Sequence, residues 1–213
     1  MRLLKGFWKE KRFLALSCSE VNASMGKICA APTAGACGIL PSVLIGVGEN
    51  LCLERLEILK ALLTASGVGA IITKNATVSG AEGGCQAECG VAAAMAASAA
   101  VQMAGGSNEA AVHAAALALI NCMGLVCDPV AGMVQAPCAQ RNASQAVNAI
   151  LSADLALAGM RSIVPPDEVV EAMLQVGRML PPALRETGLG GIANTPGAKI
   201  ITADVLGGSG SLD

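Results

Sequence analysis

Two stretches of this chain carry the residues best suited to chemistry: Ser79-Gly-Ala-Glu-Gly-Gly-Cys-Gln-Ala-Glu-Cys89, and Cys127-Asp-Pro-Val-Ala-Gly-Met-Val-Gln-Ala-Pro-Cys138-Ala-Gln-Arg-Asn142. Three thiolates, from Cys85, Cys127 and Cys138, suffice to hold an iron-sulfur cluster with one iron left open, and an open iron is a Lewis acid. Cys85 follows a glycine-rich run and Cys138 follows Pro137, each where a helix would begin. Free backbone N–H groups and the positive helix end favour anionic sulfur there. Cys127 is expected to close a helix just before Asp128-Pro129. Cys89 stands one helical turn beyond Cys85 and could be a fourth ligand, which would fit electron transfer instead of catalysis. On spacing alone, inert buried thiols are an equal alternative, because no compact C-x2-C pair is present.

The elements that must position these residues read as helices. Leu51 to Ile72 has apolar Leu53, Leu56, Leu59 and Leu63 opposite Glu54, Arg55, Glu57 and Lys60, an amphipathic pattern. Ala87 to Met103 and Glu109 to Val126 are alanine-rich and separated by Gly105-Gly106-Ser107-Asn108, so a helical hairpin is expected. Ala139 to Ser162 and Asp167 to Leu180 follow, each closed by a pair of prolines. No strand alternation is evident. The expected fold is all-α, a compact bundle of Ala/Gly-rich helices. Residues 1–16 form a basic segment, 17–191 the main domain and 192–213 a Gly-rich tail, with everything from Thr187 expected as partly mobile loop.

Composition narrows the function. In 213 residues, 54% are hydrophobic and 14% charged, the net charge is -2, and there is one Trp, two Phe and no Tyr. Neither the basic footprint nor the stacking platform of a nucleic-acid binder is available. The charge-free runs 28–48 and 89–108 are rich in small residues, and Pro32 and Pro41 break the first. They suit closely packed soluble helices better than membrane spans. Nine cysteines, an odd number in a chain this long, fit a reducing cytoplasm, with Cys29, Cys37, Cys52 and Cys122 as buried core thiols.

From Ser19-Glu-Val-Asn-Ala-Ser-Met-Gly26 to about Gly191 the chain resembles the alpha chain, or catalytic domain, of bacterial iron-sulfur L-serine dehydratases. The matching words are Ala31-Pro-Thr-Ala-Gly-Ala-Cys-Gly38, Asn75-Ala-Thr-Val-Ser-Gly-Ala-Glu-Gly-Gly-Cys-Gln86, Gly124-Leu-Val-Cys-Asp-Pro-Val-Ala-Gly132, Pro137-Cys-Ala-Gln-Arg-Asn142 and Arg185-Glu-Thr187. The resemblance implies a 4Fe-4S cluster on Cys85, Cys127 and Cys138. It also implies deamination of L-serine to pyruvate and ammonia, with the open iron drawing off the hydroxyl. In the family the position of Cys89 is usually apolar, against a fourth ligand.

Polar residues in the matched words become candidates: Thr33, Asn75, Ser79 and Arg141 for substrate, Glu82 and Arg185 for catalysis. Glu82 and Glu88 would need desolvation to act as bases. His113, the only histidine, reads as a packed helix residue, and Lys74 as a helix-end charge rather than a pyridoxal lysine. The family's separate beta chain carries a Ser- and His-containing motif absent here, so a beta chain, a homo-oligomer or both are expected partners. Residues 1–16 match nothing in the family pattern. The competing reading is a cluster-free remnant that only binds a partner.

Overall fold

The computed structural model describes Leu3 and residues 12–207. The basic segment at 1–16 and the extreme C-terminus therefore lie largely outside the described residues. Nine α-helices are present among them: α1 (Arg12–Ala23), α2 (Ile39–Asn50), α3 (Arg55–Asn75), α4 (Gly80–Gly83), α5 (Val91–Met103), α6 (Asn108–Asn121), α7 (Cys138–Leu157), α8 (Pro166–Met179) and α9 (Pro196–Leu206). The only β pairing described is a single parallel bridge between Cys127 and Arg185. The fold is all-α.

Helix α5 is the centre. Its sequence, Val-Ala-Ala-Ala-Met-Ala-Ala-Ser-Ala-Ala-Val-Gln-Met, is nearly all alanine, and every residue except Gln102 is buried. Alanine gives high helix propensity and no bulk, so α2, α3, α6 and α7 all pack directly on this one rod. Its few polar groups are paired: Ser98 Oγ donates within reach of Ala94 O at 3.1 Å and Ala111 O at 2.9 Å, and Gln102 meets Thr64 of α3. Helix α6 begins at Ser107, whose hydroxyl accepts from Ala110 N at 3.1 Å.

Small residues also set the approach of the other helices. A Cβ on Gly69 of α3 would lie 2.9 Å from the sulfur of Met95, and one on Gly177 of α8 only 2.6 Å from the Cα of Gly83. The buried stripe of α3 is Ala61, Ala65, Gly69 and Ile72. This corrects the expected apolar face, since Leu56, Leu59 and Leu63 are exposed by 61%, 46% and 72%. Close backbone packing, rather than leucine bulk, selects the inward face of α3. Among the described residues α3 is also the one helix long and apolar enough to cross a membrane.

Four other expectations change. The segment from Thr187 is not simply loop, because Gly191–Asn194 form a 3-10 turn and α9 follows. Thr195 caps α9, its hydroxyl accepting from Ala198 N at 3.3 Å, and Pro196 occupies the first turn, where its missing N–H costs nothing. Helix α6 stops at Asn121 rather than reaching Val126, and Gly124 turns the chain with φ +84°. Cys127 consequently sits in extended chain, not at a helix end. Cys29 and Cys52 are exposed, unlike Cys37 and Cys122.

The close contact of α8 with Gly83 yields a paired prediction. Gly177→Ala should destabilise the fold by about 1–3 kcal/mol, since a methyl would strike backbone. Gly67→Ala, mid-helix with nothing within 4 Å of the added carbon, should instead stabilise by about 0.5–1 kcal/mol. Urea unfolding of the two variants against the parent checks both signs.

Candidate active site

Cys85, Cys127 and Cys138 arrive from three different local structures. Cys85 follows Gly84, whose φ of +75° and tight fit against Leu125 O exclude a side chain there. It then opens a short π-helical turn, Gln86–Gly90, that runs into α5. The fully buried Gln86 fixes this turn, its Oε1 accepting from Gly124 N at 2.7 Å and its Nε2 donating to Met173 O at 3.0 Å. Cys127 is held by the parallel bridge: its N–H donates to Leu184 O at 2.9 Å, and its carbonyl accepts from Glu186 N at 2.7 Å. Cys138 is the first residue of α7.

Asn142, one turn into α7 and fully buried, ties Cys138 to a fourth segment. Its Oδ1 accepts from Gly38 N at 2.9 Å, and its Nδ2 donates to Gly35 O at 2.7 Å and Cys138 O at 2.9 Å. The Thr33–Gly38 segment is thereby drawn over the cysteines. Gly35 lies against the carboxylate of Glu88. Gly80 lies against both Glu88 and Cys127, and a Cβ there would be 2.6 Å from Glu88 Oε2 and 3.0 Å from Cys127 Sγ.

The three sulfurs share one electrostatic environment. All are buried, at 2%, 3% and 8% exposure for Cys85, Cys127 and Cys138. Burial, then the charge of Cys85, pushes the Cys138 thiol up to about 12. Burial, then Glu88 and Cys85, pushes Cys127 up still further. Cys85 goes the other way, lowered by a hydrogen bond with Cys89 and by the Arg141 guanidinium, against the cost of burial. Two thiols raised by burial and by Cys85, with Cys85 itself predisposed to ionise, form a site that a positive group would stabilise.

Arg141 supplies fixed positive charge at the rim. Its Nη2 stands 2.8 Å from Asp128 Oδ1, and its Nη1 donates to Val126 O at 2.8 Å. Burial works against its charge, but Cys85 and Asp128 outweigh that cost. The other Asp128 oxygen accepts from Ile192 N at 2.7 Å, which anchors the segment leading into α9. Glu88 Oε2 lies 3.9 Å from Cys127 Sγ. Burial raises the Glu88 carboxyl, the Thr33 hydroxyl lowers it, and Glu186 raises it again.

The structure thus gathers Cys85, Cys127, Cys138, Thr33 and Arg141 around one place, and brings Arg185 alongside through its backbone bridge with Cys127. Thr33 Oγ1 and Arg185 Nε are buried there without a well-formed hydrogen bond in the protein. Ser79 borders the site, its carbonyl accepting from Glu82 N and Gly83 N at the start of α4. Asn75 and Glu82 are not brought in. Asn75 is exposed and donates to Ile71 O at 2.8 Å, while Glu82 is exposed and accepts from Thr77 Oγ1 at 2.6 Å. His113 accepts from Ser162 N at 3.2 Å and packs α6 against the segment before α8. The sequence reading missed the roles of Gln86, Asp128, Asn142 and Glu186. For Gln86, Asp128 and Asn142 only their position near the cysteines in the same words could have flagged them, and for Glu186 only its place in the Arg185-Glu-Thr187 word.

Among the described residues no three His, Cys, Asp or Glu side chains converge tightly enough for a single metal ion. Ligands bound to separate irons of a cluster stand farther apart than ligands of one ion, and an all-thiolate donor set is the one that clusters use. The residues present fit a multi-iron group, and Arg185 Nε is buried without a hydrogen-bond partner in the protein.

An all-helical domain that converges three buried thiols under an arginine is the class defined so far. Residues 2–193 match the serine dehydratase alpha chain family, and the chain belongs to it; the basic segment at 1–16, expected to fall outside the family pattern, lies within the match from residue 2 onward. It is 58% identical over 193 residues to the L-serine dehydratase alpha chain of Peptoniphilus asaccharolyticus, covering 91% of this chain and 66% of that one. It is 49% identical over 199 residues to a probable L-serine dehydratase alpha chain of Latilactobacillus sakei, covering 93% and 95%. L-serine dehydratase 1 of Escherichia coli (strain K12) is 43% identical over 183 residues, covering 84% of this chain and 40% of the relative. The chain therefore spans about two thirds of the Peptoniphilus relative and less than half of the Escherichia coli one.

Asn142 offers a direct test of how the site is assembled. Asn142→Leu removes three hydrogen bonds and strands the buried Gly38 N–H, which should cost on the order of 3 kcal/mol in urea unfolding. Amide exchange should rise first in the Thr33–Gly38 segment, and an unchanged exchange rate there would contradict the assigned role.

Proposed function

We propose that this chain is the catalytic alpha component of an L-serine ammonia-lyase, a lyase that converts L-serine to pyruvate and ammonia. Cys85, Cys127 and Cys138 would hold its 4Fe-4S cluster. The observation that carries this reading is the convergence of those three buried sulfurs, from segments far apart in sequence, into one electrostatic unit beside Arg141 and Glu88. When bound, the cluster would supply a Lewis-acidic iron at its unligated corner, suited to a poor leaving group such as hydroxide.

The chain's own residues have separable tasks. Arg141 is engaged by Asp128 and Val126 and acts as a positioning residue, holding Cys138's helix against the chain that carries Cys127. Arg185, whose backbone pairs with Cys127 and whose Nε is unpartnered, is the donor assigned to the substrate carboxylate, and the Thr33 hydroxyl supports Glu88. Glu88 replaces Glu82 as the base. Its carboxyl is desolvated and raised, as a group that accepts the Cα proton at Oε2 requires. Loss of that proton and of the Cβ hydroxyl leaves aminoacrylate, which tautomerises and hydrolyses to pyruvate and ammonia in water. Positioning and charge stabilisation are then the protein's contribution.

The name alpha chain on the Peptoniphilus relative supports a partner beta chain, and self-association is the other assembly to test. The presence of nine free cysteines supports a reducing, cytoplasmic setting. A four-thiolate electron-transfer cluster is the second reading, favoured by the hydrogen bond between Cys89 and Cys85.

Anaerobic reconstitution, with iron and sulfide counted and pyruvate assayed after addition of a candidate beta chain, decides among these. About four irons per chain are expected, falling sharply in Cys127→Ser and persisting in Cys89→Ala. Loading that ignores Cys127→Ser, or no loading at all, would leave a partner-binding domain without a cluster. Loading lost in Cys89→Ala would favour electron transfer. For the base, Glu88→Gln should lower pyruvate formation by about 100-fold or more with iron content unchanged, whereas Glu82→Gln should leave the rate near that of the parent.

A further inference from the structure

A second pair of sulfurs lies away from the three cysteines. Cys18, in the middle of α1, places its Sγ 3.7 Å from the Sγ of Cys37. Each sulfur also rests on the other residue's backbone carbonyl, at 3.3 Å from Cys18 Sγ to Cys37 O and 3.9 Å from Cys37 Sγ to Cys18 O. The two backbones are therefore within one side chain's reach of each other. Gly38 confirms how close they run, since a Cβ on it would come within 2.4 Å of Ala15 O in α1.

The two thiols are unequally exposed. Cys18 is partly open to solvent, while Cys37 is 1% exposed. Burial, followed by the neighbouring Cys18, pushes the Cys37 thiol up to about 12. Cys18 is the sulfur that a small oxidant meets first, and Cys37 waits behind it as a resolving thiol. Neither belongs to the catalytic constellation, and the pair needs no cluster for its chemistry.

We propose that Cys18 and Cys37 form an oxidisable thiol pair that hydrogen peroxide converts to a disulfide. The Cys18 thiolate attacks one peroxide oxygen, the O–O bond breaks, and hydroxide leaves to give Cys18 sulfenic acid. The Cys37 sulfur then attacks Cys18 Sγ, the S–O bond breaks, and water leaves as the S–S bond forms. Overall, two thiols and one peroxide give one disulfide and two waters. The bridge fastens α1 to the Thr33–Gly38 segment, which bears Thr33 and Gly35 over Glu88. Oxidation thus acts on the wall of the site without touching its sulfurs.

The test uses the purified full chain in which the exposed Cys29 and Cys52 are replaced by Ser, so that Cys37 is the only cysteine in its tryptic peptide. After peroxide treatment and alkylation of remaining thiols, mass spectrometry should find the peptide spanning 13–27 joined to that spanning 28–55, with the loss of two hydrogens. Dithiothreitol should separate them. With Cys37→Ser added, dimedone should label Cys18 as a trapped sulfenic acid; with Cys18→Ser, Cys37 should stay fully alkylated. The proposal is overturned if Cys18 and Cys37 both remain alkylated at a peroxide dose that oxidises Cys29 in the parent chain. It is equally overturned if Cys18 advances to sulfinic acid with no joined peptide.

Discussion

Three buried sulfurs held within one another's electric field are the constraint around which this molecule is arranged. Left to themselves two of them resist ionisation, because burial and the neighbouring charges favour the neutral thiol at Cys127 and Cys138. A hydrophobic core gains nothing from collecting thiols in this way, with an arginine and a carboxyl beside them. The proposed cluster would be a positive group shared by all three, converting that repulsion into ligation, and this is what favours it over a patch of core.

Holding the sulfurs there requires polar work elsewhere. Buried polar side chains tie the three segments bearing them to one another and to their surroundings, chiefly by bonding backbone groups. Gln86 spans Gly124 and Met173, Asn142 spans Gly38, Gly35 and Cys138, and Asp128 spans Arg141 and Ile192. Each of these side chains is almost wholly buried, and between them they satisfy backbone at Gly35, Gly38, Gly124 and Ile192 that lies outside the α-helices. The loops can therefore be buried at all, which is what keeps water from the sulfurs. The alanine-rich helices beneath serve the same end, since a rod as thin as α5 brings four helices close enough to converge their ends.

Much of this was readable from the chain. Of the helices with strong composition signals, α5 and α8 stand where alanine content, glycine breaks and proline pairs place them, while α6 and α7 start as expected but end at Asn121 and Leu157, short of Val126 and Ser162. The trio of cysteines follows from the words that contain them. What the sequence concealed has physical causes. The leucine face of α3 looked like a core face because bulk usually marks burial, whereas here close approach to α5 makes Ala61, Ala65 and Gly69 the buried stripe. Pro196 looked like a loop marker because proline breaks helices, yet at the first turn it starts one. Glu88 and Glu82 are chemically alike and six residues apart. Only the π-helical turn after Cys85 decides that Glu88 faces the sulfurs while Glu82 bonds to Thr77 in solvent.

That turn also explains why the two acids have such different chemistry. A π-helical turn widens the helix by one residue and shifts the side chains that follow, a device often found at functional sites. At Gln86–Gly90 it allows Cys85 and Cys89 to share a hydrogen bond while Glu88 leans toward Cys127, Gly80 and Gly35. Gly80 leaves just enough space for the carboxylate, since a Cβ there would lie 2.6 Å from Glu88 Oε2, while a Cβ on Gly35 would meet it at ordinary van der Waals distance. A single irregular turn, bounded by Gly84 before it and the alanine rod after it, thus sets both the most acidic thiol and the least acidic carboxyl of the site.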